Sequence, residues 1–184
     1  MGIDLYRKGR IVNRNAVRKP STTNVYHSLL VKLYRFMARR TDSKFNNLVL
    51  RRLCQSNTTR YPVSISKIVK FTNTEEKRNK VVVVVAPVLD DERLLEVPKL
   101  QIAALKMSES ARRRVLKAGG RVLTLDQLAK EDPTGQNTLL LRGRRSRESL
   151  KHFGGYPGVK KSHVKPYVIN GNHKKERKYK HVKK

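Results

Sequence analysis

The sequence predicts an α/β fold, a small core of short strands and helices preceded by two N-terminal helices, with extended basic N- and C-terminal arms. Three observations point there. The five consecutive valines at 81–85 are a short, β-branched apolar run, the pattern of a strand buried on both faces. From residue 61 to residue 141, short strand-like runs alternate with segments of helical period, which suggests a layer of strands covered by helices. The charge is also concentrated at the ends of the chain. Residues 1–20 hold six basic and one acidic side chain, and residues 142–184 hold fifteen basic and two acidic, within a formal net charge of +29 at pH 7. We therefore expect a basic N-terminal arm over 1–20, a globular part over 21–141 and a basic C-terminal tail over 142–184. At 184 residues the chain is long enough for one domain with a real core, because folding removes roughly 70% of the unfolded surface at about 150 residues.

The first arm is polar, with basic residues placed singly and Pro20 at its end. Over "NVYHSLLVKLYRFMARR", Tyr26, Leu29, Leu30, Leu33 and Met37 recur at helical spacing behind Asn24, a natural N-cap. Lys32, Arg35 and Arg39 fall on the opposite side of that helix. A second helix over "KFNNLVLRRLC" takes Asp42 or Ser43 as its cap and Phe45, Leu48, Val49 and Leu53 as its apolar face, with Arg51 and Arg52 riding on it. Ordinary surface helices mix signs and gain a few tenths of a kcal/mol from each i,i+4 ion pair. These two offer no acidic partner beyond Asp42.

"SNTTRYP" is a loop by composition. "VSISKIVK" fits a short helix capped by Ser64, with Ile65, Ile68 and Val69 inward, better than a strand. The valine strand follows the polar turn "NTEEKRNK", and Pro87 limits its pairing at the far end. "LDDERLLEVP" is an acidic connection whose adjacent carboxylates are expected to be solvated. "KLQIAALKM" then alternates Leu100, Ile102 and Ala104 as a second strand. Ser108 caps a helix burying Ala111, Val115 and Leu116, which Gly119 and Gly120 stop. A brief strand "RVL" leads into a capping box, Thr124 with Gln127 three residues on. After the turn "EDPTGQN", "TLLLRG" makes the last strand.

The chemistry is defined mainly by what is missing. One cysteine, Cys54, anchors no structural zinc and forms no internal disulfide; it reads as a small core residue. The five histidines stand at no metal-ligating spacing, so no metal or other cofactor is expected. There is no Gly-Lys-Ser/Thr phosphate loop, and Gly154, Gly155 and Gly158 follow no strand-to-helix pattern. No nucleophile, base and electrophile assemble, which argues against an enzyme. No signal sequence opens the chain and no run approaches 18 apolar residues, so a reducing interior and no membrane span are expected.

Binding to a polyanion fits what remains. Arginine and lysine gain affinity by releasing counterions from phosphates. The tail "LRGRRSRESLKHFGGYPGVKKSHVKPY" also interleaves Phe, Tyr and His with its cations, a composition suited to stacking on unpaired RNA bases. No helix-turn-helix, finger or basic zipper advertises a DNA reader. A basic nucleic-acid-binding protein of chromatin or of a ribonucleoprotein fits at this level.

The segments "LLVKLYRFMARRTDSKFNNLVLRRL", "EVPKLQIAALKMS", "RVLKAGGRVLTLDQLA", "TLLLRG" and "HFG…SHVKPYV" resemble the archaeal and eukaryotic L-eighteen family of large-subunit ribosomal proteins, with the opening "MGID" and the extension "SHVKPYV" closer to its eukaryotic branch. The resemblance implies a non-catalytic, structural component of the cytosolic 60S subunit, with an α/β core similar to bacterial L-fifteen. It implies large-subunit rRNA and neighbouring ribosomal proteins as partners, no membrane, no homo-oligomer, and passage through the nucleus and nucleolus during assembly. The rRNA contacts it implies are Arg7, Lys8, Arg10, Arg14, Arg18 and Lys19 in the arm, and Lys32, Arg35, Arg39, Arg40, Arg51 and Arg52 on the helices. In the tail they are Arg142, Arg144, Arg145, Arg147, Lys151, His152, Phe153, Lys160, Lys161, His163, Lys165 and Tyr167.

Overall fold

The computed structural model describes residues 19–20 and 22–166. Two compact units divide the chain between Arg144 and Arg145. The first contains α1 (Val25–Thr41), α2 (Lys44–Leu53), β1 (Val63–Ser64), α3 (Ile65–Phe71), α4 (Glu75–Arg78), β2 (Val81–Leu89), β3 (Gln101–Met107), α5 (Glu109–Lys117), β4 (Arg121–Leu123), α6 (Leu125–Glu131) and β5 (Thr138–Leu141). The described part of the second carries α7 (Ser149–His152).

All the strand pairings among the described residues are parallel. β2 is the axis of the sheet. One edge of it pairs with β3, which in turn pairs with β4; the other pairs with β5 over Val81–Val84 and with β1 over Val88–Leu89. β1 and β5 therefore share an edge and leave a gap beside Val85, Ala86 and Pro87. Pro87 does not end the β2–β3 pairing as expected; the register shifts between Val84 and Pro87, and the ladder resumes at Pro87–Lys106 and Val88–Met107.

The valine run is buried on both faces because successive side chains of a strand point to opposite sides. Val83 and Val85 pack with residues of α1, α2 and α6, among them Val31, Tyr34, Val49, Leu53 and Leu128. Val82, Val84 and Val88 join the other layer with Ile65, Ile68, Ala111 and Val115 from α3 and α5. The unit is thus a sheet between two helical layers. Ala103 and Ala104 of β3 are buried in opposite layers, so that strand too is covered on both sides.

The expected caps are largely in place. Asn24 Oδ1 accepts from the Tyr26 and His27 N–H groups, Ser108 Oγ from the Ala111 N–H, and Gln127 Oε1 from the Thr124 N–H at 3.0 Å. Gly119 ends α5 at φ +71, where a side chain is strained. Asp42 closes α1 in the left-handed conformation instead of capping α2, and Ser43 stands at the N-cap but donates its hydroxyl to Thr134 O at 2.8 Å.

Three faces differ from the periodicity reading. In α1 the buried residues are Val31, Tyr34, Met37 and Ala38, while Tyr26 and Leu29 are exposed. The helix is rolled toward Tyr34 because its hydroxyl donates to Leu125 O at 2.9 Å inside the core, and burial together with Asp126 keeps that phenol protonated. Tyr26 and Leu29 instead line an open groove of about 650 Å³ with Leu105 and Leu125. In α2, Leu48 is exposed and Asn46 is buried, donating to Thr41 Oγ1 and Pro133 O at 2.8 Å each. In α5, Leu116 is 49% exposed and only Ala111 and Val115 reach the core. Cys54 is a free, buried thiol, and burial raises its pKa.

The acidic connection is not simply solvated. Asp90 accepts from Arg114 at 2.8 Å, and Asp91 accepts from Arg93 and from Ser66 Oγ, so the loop ties α5 to the start of α3. Hydrogen bonds from Arg93 first, then Ser66, hold the Asp91 carboxyl well below the usual range.

Candidate nucleic-acid interface

Arg7, Lys8, Arg10, Arg14, Arg18 and Tyr167 lie outside the described residues. Lys19 is exposed just ahead of α1. On α1, Lys32, Arg35, Arg39 and Arg40 are exposed, and none takes part in a salt bridge among the described residues. Spacings of three and four set Lys32, Arg35 and Arg39 along one stripe. Arg40 lies 5.7 Å from the centroid of the half-exposed Phe36 ring, a cation–π contact that keeps its charge outside. Arg39 and Arg40 also occupy the last turn, where the helix dipole favours cations. The basic face of this helix is therefore compatible with the fold, yet among the described residues no carboxylate pairs with it.

Arg51 and Arg52 are more enclosed than the helix pattern suggests; both are half-buried. Arg52 Nη1 donates to Leu141 O, at the end of β5, at 2.7 Å. Burial, and next the positive charge of Arg142, lower its proton affinity. Arg142 is exposed, with its guanidinium 5.2 Å from the Tyr61 ring centroid. Gly143 follows in a place where a Cβ would sit 2.4 Å from Pro62 O, so only glycine lets the chain leave β5 this close to the 61–62 backbone. Arg144, exposed, ends the first unit.

Sequence reasoning missed Arg60, which it assigned to a loop. Its Nη2 donates to Leu53 O at 2.8 Å, at the C-terminus of α2, and lies 2.9 Å from His27 Nε2. Burial, and then Arg60, lower the His27 pKa, which favours the neutral imidazole. No local pattern marks Arg60; its role depends on helix ends brought together by the fold.

In the second unit, no residue from 145 to 166 is buried. Arg145, His152, Phe153, Lys160, Lys161, His163 and Lys165 are exposed, and Arg147 and Lys151 half-buried. Phe153 and Tyr156 are each 78% exposed, which leaves both rings open for stacking. Glu148 accepts from Lys151 at 3.0 Å and from His152 at 3.1 Å, and these two contacts, Lys151 first, pull its pKa down. The other cations of this stretch have no ion-pair partner among the described residues. Its internal ties are short in range: Lys165 N–H donates to Lys151 O, and Ser162 Oγ to Gly155 O.

Exposed, unpaired guanidinium and ammonium groups beside open aromatic rings can bind phosphates and stack on bases. Among the described residues no group of three or more His, Cys, Asp or Glu side chains could hold a metal, and no helix is long and apolar enough to cross a membrane.

The family described as "Ribosomal protein 60S L18 and 50S L18e" matches residues 2–183. A relative from Tetrahymena thermophila named "Large ribosomal subunit protein eL18" is 52% identical over 177 residues, covering 96% of this chain and 97% of the relative. One from Schizosaccharomyces pombe named "Large ribosomal subunit protein eL18A" is 54% identical over 180 residues, covering 96% and 94%. One from Drosophila melanogaster, named as the first, is 51% identical over 179 residues, with the same coverage as the yeast protein.

Proposed function

The chain belongs to the ribosomal protein family 60S L18 and 50S L18e, and from that premise we propose that it is a structural constituent of the large ribosomal subunit that binds large-subunit rRNA. The observation that carries this reading is a family match over residues 2–183, nearly the whole chain, with relatives named as large-subunit proteins above 50% identity. The family is one of ribosomal structural proteins, and the chain acts in translation by shaping RNA without catalysing a step. The surface chemistry supports this: α1 carries cations with no counter-ion, and residues 145–166 have cations and open rings but no core.

In this reading the sheet and its helices are a prefabricated block. Lys32, Arg35, Arg39 and Arg40 face rRNA from α1, and the chain beyond β5, with Arg144, Arg145, Lys160, Lys161 and Lys165, follows the RNA backbone. The protein works as a single copy beside other ribosomal proteins, without membrane attachment. Its home is the cytosolic ribosome, reached after assembly in the nucleus and nucleolus.

Sucrose-gradient sedimentation of the endogenous protein tests the proposal. It is expected in the large-subunit, monosome and polysome fractions, and to move to light fractions after RNase digestion. A population that sediments with chromatin, or remains at the top of the gradient without RNase, overturns it.

A further inference from the structure

We infer that Arg52, Arg60 and Arg142 form one phosphate-binding site in the gap between β5 and β1, and that its occupant is a backbone phosphate of RNA. This rests on the proposed function and names a partner group for one spot of that surface.

The sheet itself makes the spot. β5 pairs with β2 only as far as Val84, and β1 begins pairing at Val88, so among the described residues no strand lies beside the intervening edge of β2. A small cavity of about 10 Å³ opens there over Val85 and Ala86. Ligands of open α/β sheets commonly sit outside strand carboxyl ends, and here β5 ends at Leu141, on the cavity wall.

The polar lining is Arg52, Gln55, Thr59, Arg60, Tyr61 and Arg142, three guanidiniums with neutral groups and no carboxylate among the described residues. None of the three arginines takes part in a salt bridge among the described residues. Arg52 is half-buried close to the like charge of Arg142, and the fold holds both in place: Arg52 by Leu141 O, Arg142 by the Tyr61 ring. Arg60 also lines the cavity: its Nη2 donates to Leu53 O and lies 2.9 Å from His27 Nε2, its Nη1 donates to Asn57 Oδ1, and its buried Nε–H has no partner among the described residues.

The like charges of Arg52 and Arg142, with no ion-pair partner among the described residues, and the unsatisfied Nε–H of Arg60 are costs that an anion lowers. The cavity is small. Its volume suits one water-sized oxygen, and a phosphate diester can place one non-bridging oxygen there while the other meets Arg142 at the mouth. Arginine suits this role because its planar fork binds phosphate oxygens in pairs. A free phosphate ion offers the same chemistry, and the experiment separates the two sources.

The full-length chain is titrated with a transcript of large-subunit rRNA over a range of salt concentrations. Arg142→Gln is expected to lower the slope of log affinity against log salt by about 0.7–0.9, the share of one phosphate. The triple variant R52Q/R60Q/R142Q is expected to lower it by the same amount, because the three share one ligand. A loss about three times larger in the triple variant means separate contacts, and an unchanged slope in Arg142→Gln means none; either overturns the site. Equilibrium dialysis with inorganic phosphate does not require the triple variant to fold. Wild type should bind one phosphate more than Arg142→Gln, and the transcript should displace it. No difference overturns the site, and a phosphate that the transcript cannot displace overturns the RNA assignment. Wild-type chain that ignores the transcript defeats the proposed function itself, whereas a bound transcript with an unchanged slope defeats only this inference.

Discussion

Residues 22–144 and residues 145–166 are both rich in cations but satisfy them differently. In the first stretch, carboxylates are placed where they brace the fold: Asp90 on Arg114, Asp91 on Arg93, Glu109 on Arg113 and Glu131 on Arg121. Beneath them, two apolar layers enclose the sheet. In the second stretch the single acid, Glu148, is shared by Lys151 and His152, and nothing is buried. Exposed ion pairs of this kind contribute about 0–1 kcal/mol, whereas fixing the backbone of each residue costs roughly 1–2 kcal/mol. The lesson is that the sheet unit can balance its own ordering entropy, and the tail needs an external partner to do so.

The sharpest way to break that contrast is to remove residues 145–184. If even four of the lost cations each neutralise one phosphate, the salt slope on rRNA falls by about 3. The sheet unit should keep its cooperative thermal transition, followed by circular dichroism at 222 nm. Loss of that transition would show that the tail supports the core. The reciprocal change is Ile102→Ala, at a fully buried position of β3. It is expected to cost about 2–5 kcal/mol in urea unfolding, while the salt slope of the folded fraction stays as in wild type. A cost below about 1 kcal/mol would mean that the layer around Ile102 is not the principal source of stability.

The same contrast explains how far the sequence could be read. The β2 strand was legible because five valines satisfy both faces of a parallel sheet at once. Asn24, Ser108 and Gln127 were legible because a cap bonds within three residues of itself. The face of α1 was legible in part: Met37 is buried as its spacing predicts, but Tyr34 enters the core with a hydrogen bond to Leu125, 91 positions away, while Tyr26 and Leu29 stay outside. Strand order was equally hidden: β1 is two residues long, and β5 pairs with β2 from across the chain. Of the site, the exposed stripe Lys32, Arg35 and Arg39 followed from helical period alone. The engagement of Arg52 with Leu141 spans 89 positions, so no local pattern distinguishes it from Arg51.

α1 is where the contrast can be refined, because it belongs to the self-sufficient unit by packing yet resembles the tail in charge. Lys32→Gln, Arg35→Gln and Arg39→Gln combined remove three exposed, unpaired cations and no buried atom. Surface changes of this kind usually alter stability by less than about 0.5 kcal/mol, and relief of like-charge repulsion favours the folded state. The unfolding midpoint should therefore hold or rise slightly. On rRNA the slope should fall by about 2–3, the share of three phosphates, and incorporation of the variant into large subunits should drop. A slope equal to wild type would make this face a solvated surface and leave RNA binding to the segments beyond β5.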